Sequence, residues 1–181
     1  MKNENQNTKQ INHTDFIVQY KDEQGWQHLQ QRATRKAAET WLQKRKTYLP
    51  DEELRITEQT STASISKGQI FYTSWGYDQT NYDFIIVLDI SPTGKTATCQ
   101  RVTAAYACCA IEDQDHTTNS VKPTNQTYGD TFTMKTEVYS DSANLRGTYA
   151  DNQGKAGFRL DSFRPVEENR TYAETALGCG H

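Results

Sequence analysis

The sequence predicts an α+β protein, a small amino-terminal ββαβ module followed by a mostly antiparallel β domain. Three observations lead there. Short runs in which apolar and polar residues alternate recur along most of the chain, and one stretch, 34–49, repeats its apolar residues at helical spacing. Turns rich in Gly, Pro, Asn and Asp divide the rest into strand-length segments. With 34% hydrophobic and 24% charged side chains in 181 residues and a mean hydropathy of -0.90, the chain can fill one small core or two, but not a large one. A small curved sheet or partly open barrel suits that balance.

Residues 1–13 are polar and have the composition of a disordered tail. The module spans 14–58. Phe16, Val18 and Tyr20 alternate as one face of a strand, Asp22-Glu23-Gln24-Gly25 turns the chain, and Trp26 to Leu29 returns as the hairpin partner. Thr34 caps a helix that runs to about Tyr48, with Ala37, Ala38, Trp41, Leu42, Arg45 and Leu49 at helical spacing and Pro50 just past its end. Leu54-Arg55-Ile56-Thr57 reads as a third strand, so that one amphipathic helix covers a miniature sheet. Residues 59–67 have linker composition.

The β domain occupies 68–181. Ile70 to Thr73 is a short strand, and the nearly continuous apolar run Phe84 to Ile90 is a central one. Ser91-Pro92-Thr93-Gly94 turns it back into Lys95 to Ala104. Glu112 to Gly129 shows little pattern and reads as a long mobile loop. Phe132, Met134, Thr136 and Val138 alternate, and Leu145–Tyr149 and Gly157–Leu160 follow around the turn Asp151-Asn152-Gln153-Gly154.

A formal charge of -3 implies neither general affinity for nucleic acid nor a wholly acidic surface, so electrostatic binding would have to be local. No run approaches the roughly 18 apolar residues of a membrane span, and the first dozen residues lack the apolar segment of a signal peptide. A cytoplasmic protein without membrane contact is therefore expected. Cys99, Cys108, Cys109 and Cys179 form no C-x-x-C pair and read as reduced thiols. Thr93-Gly94-Lys95-Thr96 imitates the end of a phosphate-binding loop, but Asp89 stands where its first glycine belongs. Asp113, Asp115 and His116 lack the glycine and terminal glutamate of a calcium loop. No metal site and no cofactor are expected, and Mg2+ enters only if the protein cleaves RNA.

The densest constellation is Ser74-Trp75-Gly76-Tyr77-Asp78-Gln79-Thr80-Asn81, set between two strands. Trp75 and Tyr77 offer flat faces for stacking. Ser74, Gln79, Thr80 and Asn81 can exchange hydrogen bonds with a bound group, and Gly76 lets backbone approach it. Asp83 could extend the site or orient a basic residue. The same octapeptide could instead form a corner whose amides and hydroxyls bond its own backbone, with the tryptophan plugging the sheet. A second candidate is the helix face carrying Arg32, Arg35, Lys36, Lys44, Arg45 and Lys46. Of these, Arg35, Lys36 and Lys44 are the chosen phosphate contacts, although a basic face can also be simply solvated.

The segment from Gly68 and Phe71-Tyr72 through Ser74–Asn81 to Asp83-Phe84 resembles a motif of small phage- and plasmid-encoded proteins. The resemblance extends to Asp161-Ser162-Phe163-Arg164 and to Tyr172–His181, so its ends cover about residues 68–181. It departs from that pattern at Pro165–Arg170, where those proteins carry a Trp-Asp-Gly-like stretch. In size and two-part build the chain also resembles anti-CRISPR inhibitors of type II systems, one class of which is associated with guide-RNA truncation. The resemblance implies an accessory protein of a mobile element that binds and inactivates a host nucleoprotein, with Cas9 and its guide RNA as partner. Two alternatives stand beside it. One is a ribonuclease in which Tyr77, Asp78, Arg164 and His181 supply proton transfer and phosphate contact; the other is a non-catalytic protein-binding module.

Overall fold

The computed structural model describes residues 8–107, 118–139, 141–155, 157 and 159–176. Its architecture corrects the α+β expectation. Of the described residues 67% lie in strands and 9% in a single helix, and the strands form two antiparallel sheets. The fold is mostly β, without a ββαβ module as a separate layer of structure. The chain groups into two compact units, Asn12–Thr62 and the remainder.

In the first unit, strands β1 (Thr8–Asp22), β2 (Gly25–Arg32) and β3 (Leu54–Ser66) form a sheet in the order β2-β1-β3. β1 and β2 meet at the Asp22–Gly25 turn, where the Asp22 carboxylate accepts from the Gln24 N–H at 2.8 Å. Helix α1 (Arg35–Tyr48) begins at Thr34, whose hydroxyl accepts from the Ala37 N–H at 3.2 Å, and stops at Leu49 before Pro50. Ala38 is its one buried side chain. Trp41 and Leu42, three and four residues on, are half-buried, so the apolar side of the helix is narrow.

Strand length is where sequence patterning fell short. Residues 8–13, expected in a disordered tail, belong to β1, and 59–66, expected to be linker, belong to β3. Ala63 and Ile65 are buried while Ser64 between them is exposed, a strand alternation hidden by small and hydroxylated residues.

The second unit holds β4 (Ile70–Trp75), β5 (Asn81–Ile90), β6 (Thr96–Tyr106), β7 (Thr118–Tyr139), β8 (Ser142–Tyr149), β9 (Arg159–Pro165) and β10 (Tyr172–Thr175). Their order is β10-β7-β6-β5-β4-β9-β8, and β8 also pairs with β7. Six antiparallel strands thus close into a barrel, while β10 extends the sheet from β7. Closure removes the free edges that an open sheet of six strands would expose. Its interior holds Phe71, Ile85, Val87, Cys99, Met134, Leu145, Tyr149 and Phe163, joined by Ile11, Ala63 and Ile65. A second cluster outside the barrel wall gathers Phe84, Val102, Val121 and Tyr172. The run Phe84–Leu88 of β5 is apolar on both faces because Ile85 and Val87 fill the interior while Phe84 lies in the outer cluster.

The expected loop at 112–129 is corrected as well. Residues 118–129 form the first half of the 22-residue β7, and 112–117 lie outside the described residues. Pro123 pairs with Ala104 across an irregularity between Val102 and Ala104. A residue without an N–H is tolerated at such a break in the ladder. Among the described residues no helix is long and apolar enough to cross a membrane.

Candidate functional site

β4 and β5 pair from Ile70↔Ile86 to Trp75↔Asn81, so the octapeptide is a β-hairpin closed by Trp75 and Asn81, with Gly76–Thr80 as its loop. Gly76 has φ 130°, and a Cβ there would run into the carbonyl of Gln79. Only glycine fits that bend. Thr80 anchors the loop to β10: its N–H donates to Thr175 Oγ1 and its carbonyl accepts from the Thr175 N–H, both at 2.8 Å. Beyond that anchor the loop projects outward. Tyr77 is 99% exposed, and Asp78 and Gln79 are exposed with it.

The segment does not satisfy its own polar groups. Trp75 Nε1 and Asn81 Nδ2 are buried donors with no hydrogen-bond partner among the described residues. Trp75 packs against Arg159, whose guanidinium lies 5.3 Å from the ring centroid.

Two residues past Asn81 the chain enters the barrel interior with a charge. Asp83 is 5% exposed. One carboxylate oxygen accepts from Arg101 Nη2 and the other from the Tyr149 hydroxyl at 2.7 Å. Arg101, itself 4% exposed, donates from Nη1 to the Ala150 carbonyl at 2.8 Å. The Tyr128 and Tyr149 ring centroids lie 5.5 and 5.6 Å from its guanidinium carbon. Arg101 Nε is a third buried donor without a partner. Burial, then the bond to Asp83, pushes the Tyr149 hydroxyl well above its ordinary pKa. Burial also raises Tyr128, with Arg101 opposing it.

These groups share one end of the barrel, at the end of β4 and β8, the start of β5 and the later part of β6. A cavity of about 490 Å³ opens there, lined by Trp75, Asn81, Asp83, Arg101, Tyr128 and Glu174 among others. Glu174 comes from β10, and burial raises its pKa above the usual carboxylate value. A separate hollow of about 520 Å³ is lined by Ser74, Tyr72, Arg164 and Arg170. Ser74 and Trp75, neighbours on a strand, line different cavities.

The residues considered for RNA cleavage are therefore not gathered. Tyr77 and Asp78 stand on the exposed hairpin loop, and Arg164 lines the hollow with Ser74. His181 lies outside the described residues, as do Asp113, Asp115, His116 and three of the cysteines. Of the binding candidates, Trp75, Asn81 and Asp83 meet at the barrel cavity, Thr80 ties the loop to β10, and Gln79 is exposed. Among the described residues no three His, Cys, Asp or Glu side chains gather as a metal ion would need.

On α1, Arg35 pairs with Glu58 and, at 3.8 Å, with Glu39. Arg45 makes a two-pronged contact with Glu52 at 2.8 and 3.1 Å, which holds the Glu52 carboxyl below its usual pKa. Among the described residues Lys36 and Lys44 have no carboxylate partner, and with Arg32 and Trp41 they line a shallow hollow of about 480 Å³.

Sequence reasoning missed Arg101, Tyr128, Tyr149 and Glu174. A signal was present for one of them. Ala97, Cys99 and Arg101 occupy alternate positions on β6, so the arginine falls on the face that buries the other two. Set against models of protein families, curated proteins and solved structures, the chain matches none of them.

Proposed function

We propose that this chain acts by binding, as an accessory protein of a mobile element that engages an RNA-containing host complex, and that Cas9 with its guide RNA is that complex. The observation that carries the RNA contact is the division of charge on α1. Arg35 and Arg45 are neutralised by glutamates, whereas Lys36 and Lys44, with Arg32 close by, are left to solvent around the half-buried Trp41. Unpaired lysines two helical turns apart, about 12 Å along the axis, can each displace counterions from a phosphate strand, and the indole offers a stacking face. The mobile-element reading rests on the resemblance of the Ser74–Asn81 segment, and Cas9 as partner rests on the resemblance to type II anti-CRISPR inhibitors in size and two-part build. A ribonuclease role would require Tyr77, Asp78 and Arg164 at one phosphate, and among the described residues no contact unites them.

The test is salt-dependent binding of labelled guide RNA, free and loaded on Cas9. Changing Lys36→Glu and Lys44→Glu together should weaken binding at least tenfold and lower the salt slope by about 2. Arg35→Ala, which removes a guanidinium already paired, should change the slope little. RNA incubated with the protein, Cas9 and Mg2+ should stay full length. An unchanged slope in the double variant would reject the α1 contact, and shortened RNA would reject the non-catalytic reading.

A further inference from the structure

We propose that the cavity at the Trp75–Asn81 end of the barrel is a binding site for a single unstacked nucleobase. Four buried side-chain donors lack a partner among the described residues, and three of them, Trp75 Nε1, Asn81 Nδ2 and Arg101 Nε, belong to residues that line this one cavity; the fourth is the Tyr172 hydroxyl. Orphaned buried donors are scarce in native proteins, and three around a single cavity mark a place built for acceptors.

Electrostatics select the kind of acceptor. The charge of Arg101 is matched by Asp83, and Glu174 adds a second carboxyl to the wall. The site therefore carries no excess positive charge with which to hold a phosphate or carboxylate. Neutral carbonyl oxygens and ring nitrogens suit the donors, while Glu174 can accept from a ligand N–H.

Shape narrows the class further. Trp75, Tyr82 and Tyr128 bring aromatic rings to the lining, and about 490 Å³ is ample for one heterocycle. A flat ring that stacks on aromatics and presents acceptors beside an N–H is a nucleobase, read along its pairing edge as in single-stranded recognition. Tyr77, on the loop that Trp75 and Asn81 close, offers one more exposed ring. All these residues belong to the barrel unit, so the inference stands apart from the reading of α1.

The source of the base is either a free nucleoside or an unpaired position in a strand. The full chain, labelled with nitrogen-15, is titrated with each of the four common nucleosides, with a short single-stranded oligonucleotide, with its abasic counterpart, and with phosphate and acetate. The Trp75 indole N–H signal is identified by its loss in Trp75→Phe. A saturable shift of that signal with a nucleoside or the oligonucleotide is expected, and none with phosphate or acetate. Saturation by a nucleoside alone assigns a small-molecule site, and a shift seen only with the base-bearing oligonucleotide assigns a strand-delivered base; both support the site. Followed through the backbone amide signals of β4 and β5, Trp75→Phe, which keeps a ring and removes the donor, should weaken that binding at least tenfold without lowering the melting temperature by more than a few degrees. Asn81→Ser provides a second variant with the same expectation should the first fail to fold. No shift with any base-bearing probe, an equal shift with the abasic oligonucleotide, or an equal shift with phosphate would overturn the proposal.

Discussion

Asp83 is a carboxylate that the barrel can keep inside only because every lone pair of consequence is met: Arg101 on one oxygen, the Tyr149 hydroxyl on the other. Such a pair adds little net stability over a well-packed apolar substitute, but removing one member strands the other charge in a low-dielectric interior. Asp83→Ala should therefore cost about 3–5 kcal/mol, read as a fall in the urea midpoint with an unchanged slope. Tyr149→Phe, which takes away one donor to an ionised acceptor, should cost about 2 kcal/mol. The double variant should lose less than the sum, since both changes act on one network. If Asp83→Ala left the midpoint where it was, the buried-pair account of this end of the barrel would be wrong. The orphaned donors Trp75 Nε1, Asn81 Nδ2 and Arg101 Nε belong to the same scale.

Between elements a close backbone approach occurs where the turn after β8 meets β7. A Cβ on Gly129 would collide with the backbone of Gly154, and one on Gly154 with Gly129. Both glycines have positive φ, and the Asp130 N–H donates to the Gly154 carbonyl at 2.7 Å across the gap. Gly154→Ala should then lose both backbone fit and spacing. Gly68, also at positive φ but with nothing within 4 Å of its would-be Cβ, isolates the first cost. Gly68→Ala is expected to cost about 1 kcal/mol, and Gly154→Ala more than 2 kcal/mol. Thermal melting of the two variants decides it, and equal shifts would mean that the close crossing is not needed. This contact also explains why Asp151-Asn152-Gln153-Gly154 was legible as a turn while its neighbour was not. The turn is encoded locally; its partner sits 25 residues earlier, in a stretch that had read as loop.

Across the whole molecule the stability should fall on the alkaline side for a stated reason. Burial pushes the Cys99 thiol from 9.0 up to about 12, and burial with the Asp83 bond raises Tyr149 above its ordinary 10.0. In both the folded-state pKa exceeds the unfolded one, so the folded chain keeps protons that the unfolded chain releases. Their contribution is complete below about pH 9 and is lost as pH rises toward 12. Urea midpoints measured from pH 8 to 11.5 should decline above pH 9, and Cys99→Val with Tyr149→Phe should flatten that decline; an unchanged slope would show that other groups govern it. What the sequence determined unaided is what local chemistry decides. The Thr34 cap and the stop before Pro50, and the alternation of Phe132, Met134 and Val138, are each written within a few residues. Tertiary structure alone decided the class of the fold, the length of strands made of Thr, Ser and Asn, and the closing of six of them by β8 on β7. The physical reason is that a polar strand owes its form to ladder partners distant in the chain. The same holds for the site: Asp83, Arg101 and Glu174 come from three strands, and only barrel closure and the return of β10 bring them to one cavity, while Tyr149, on a fourth strand, bonds Asp83.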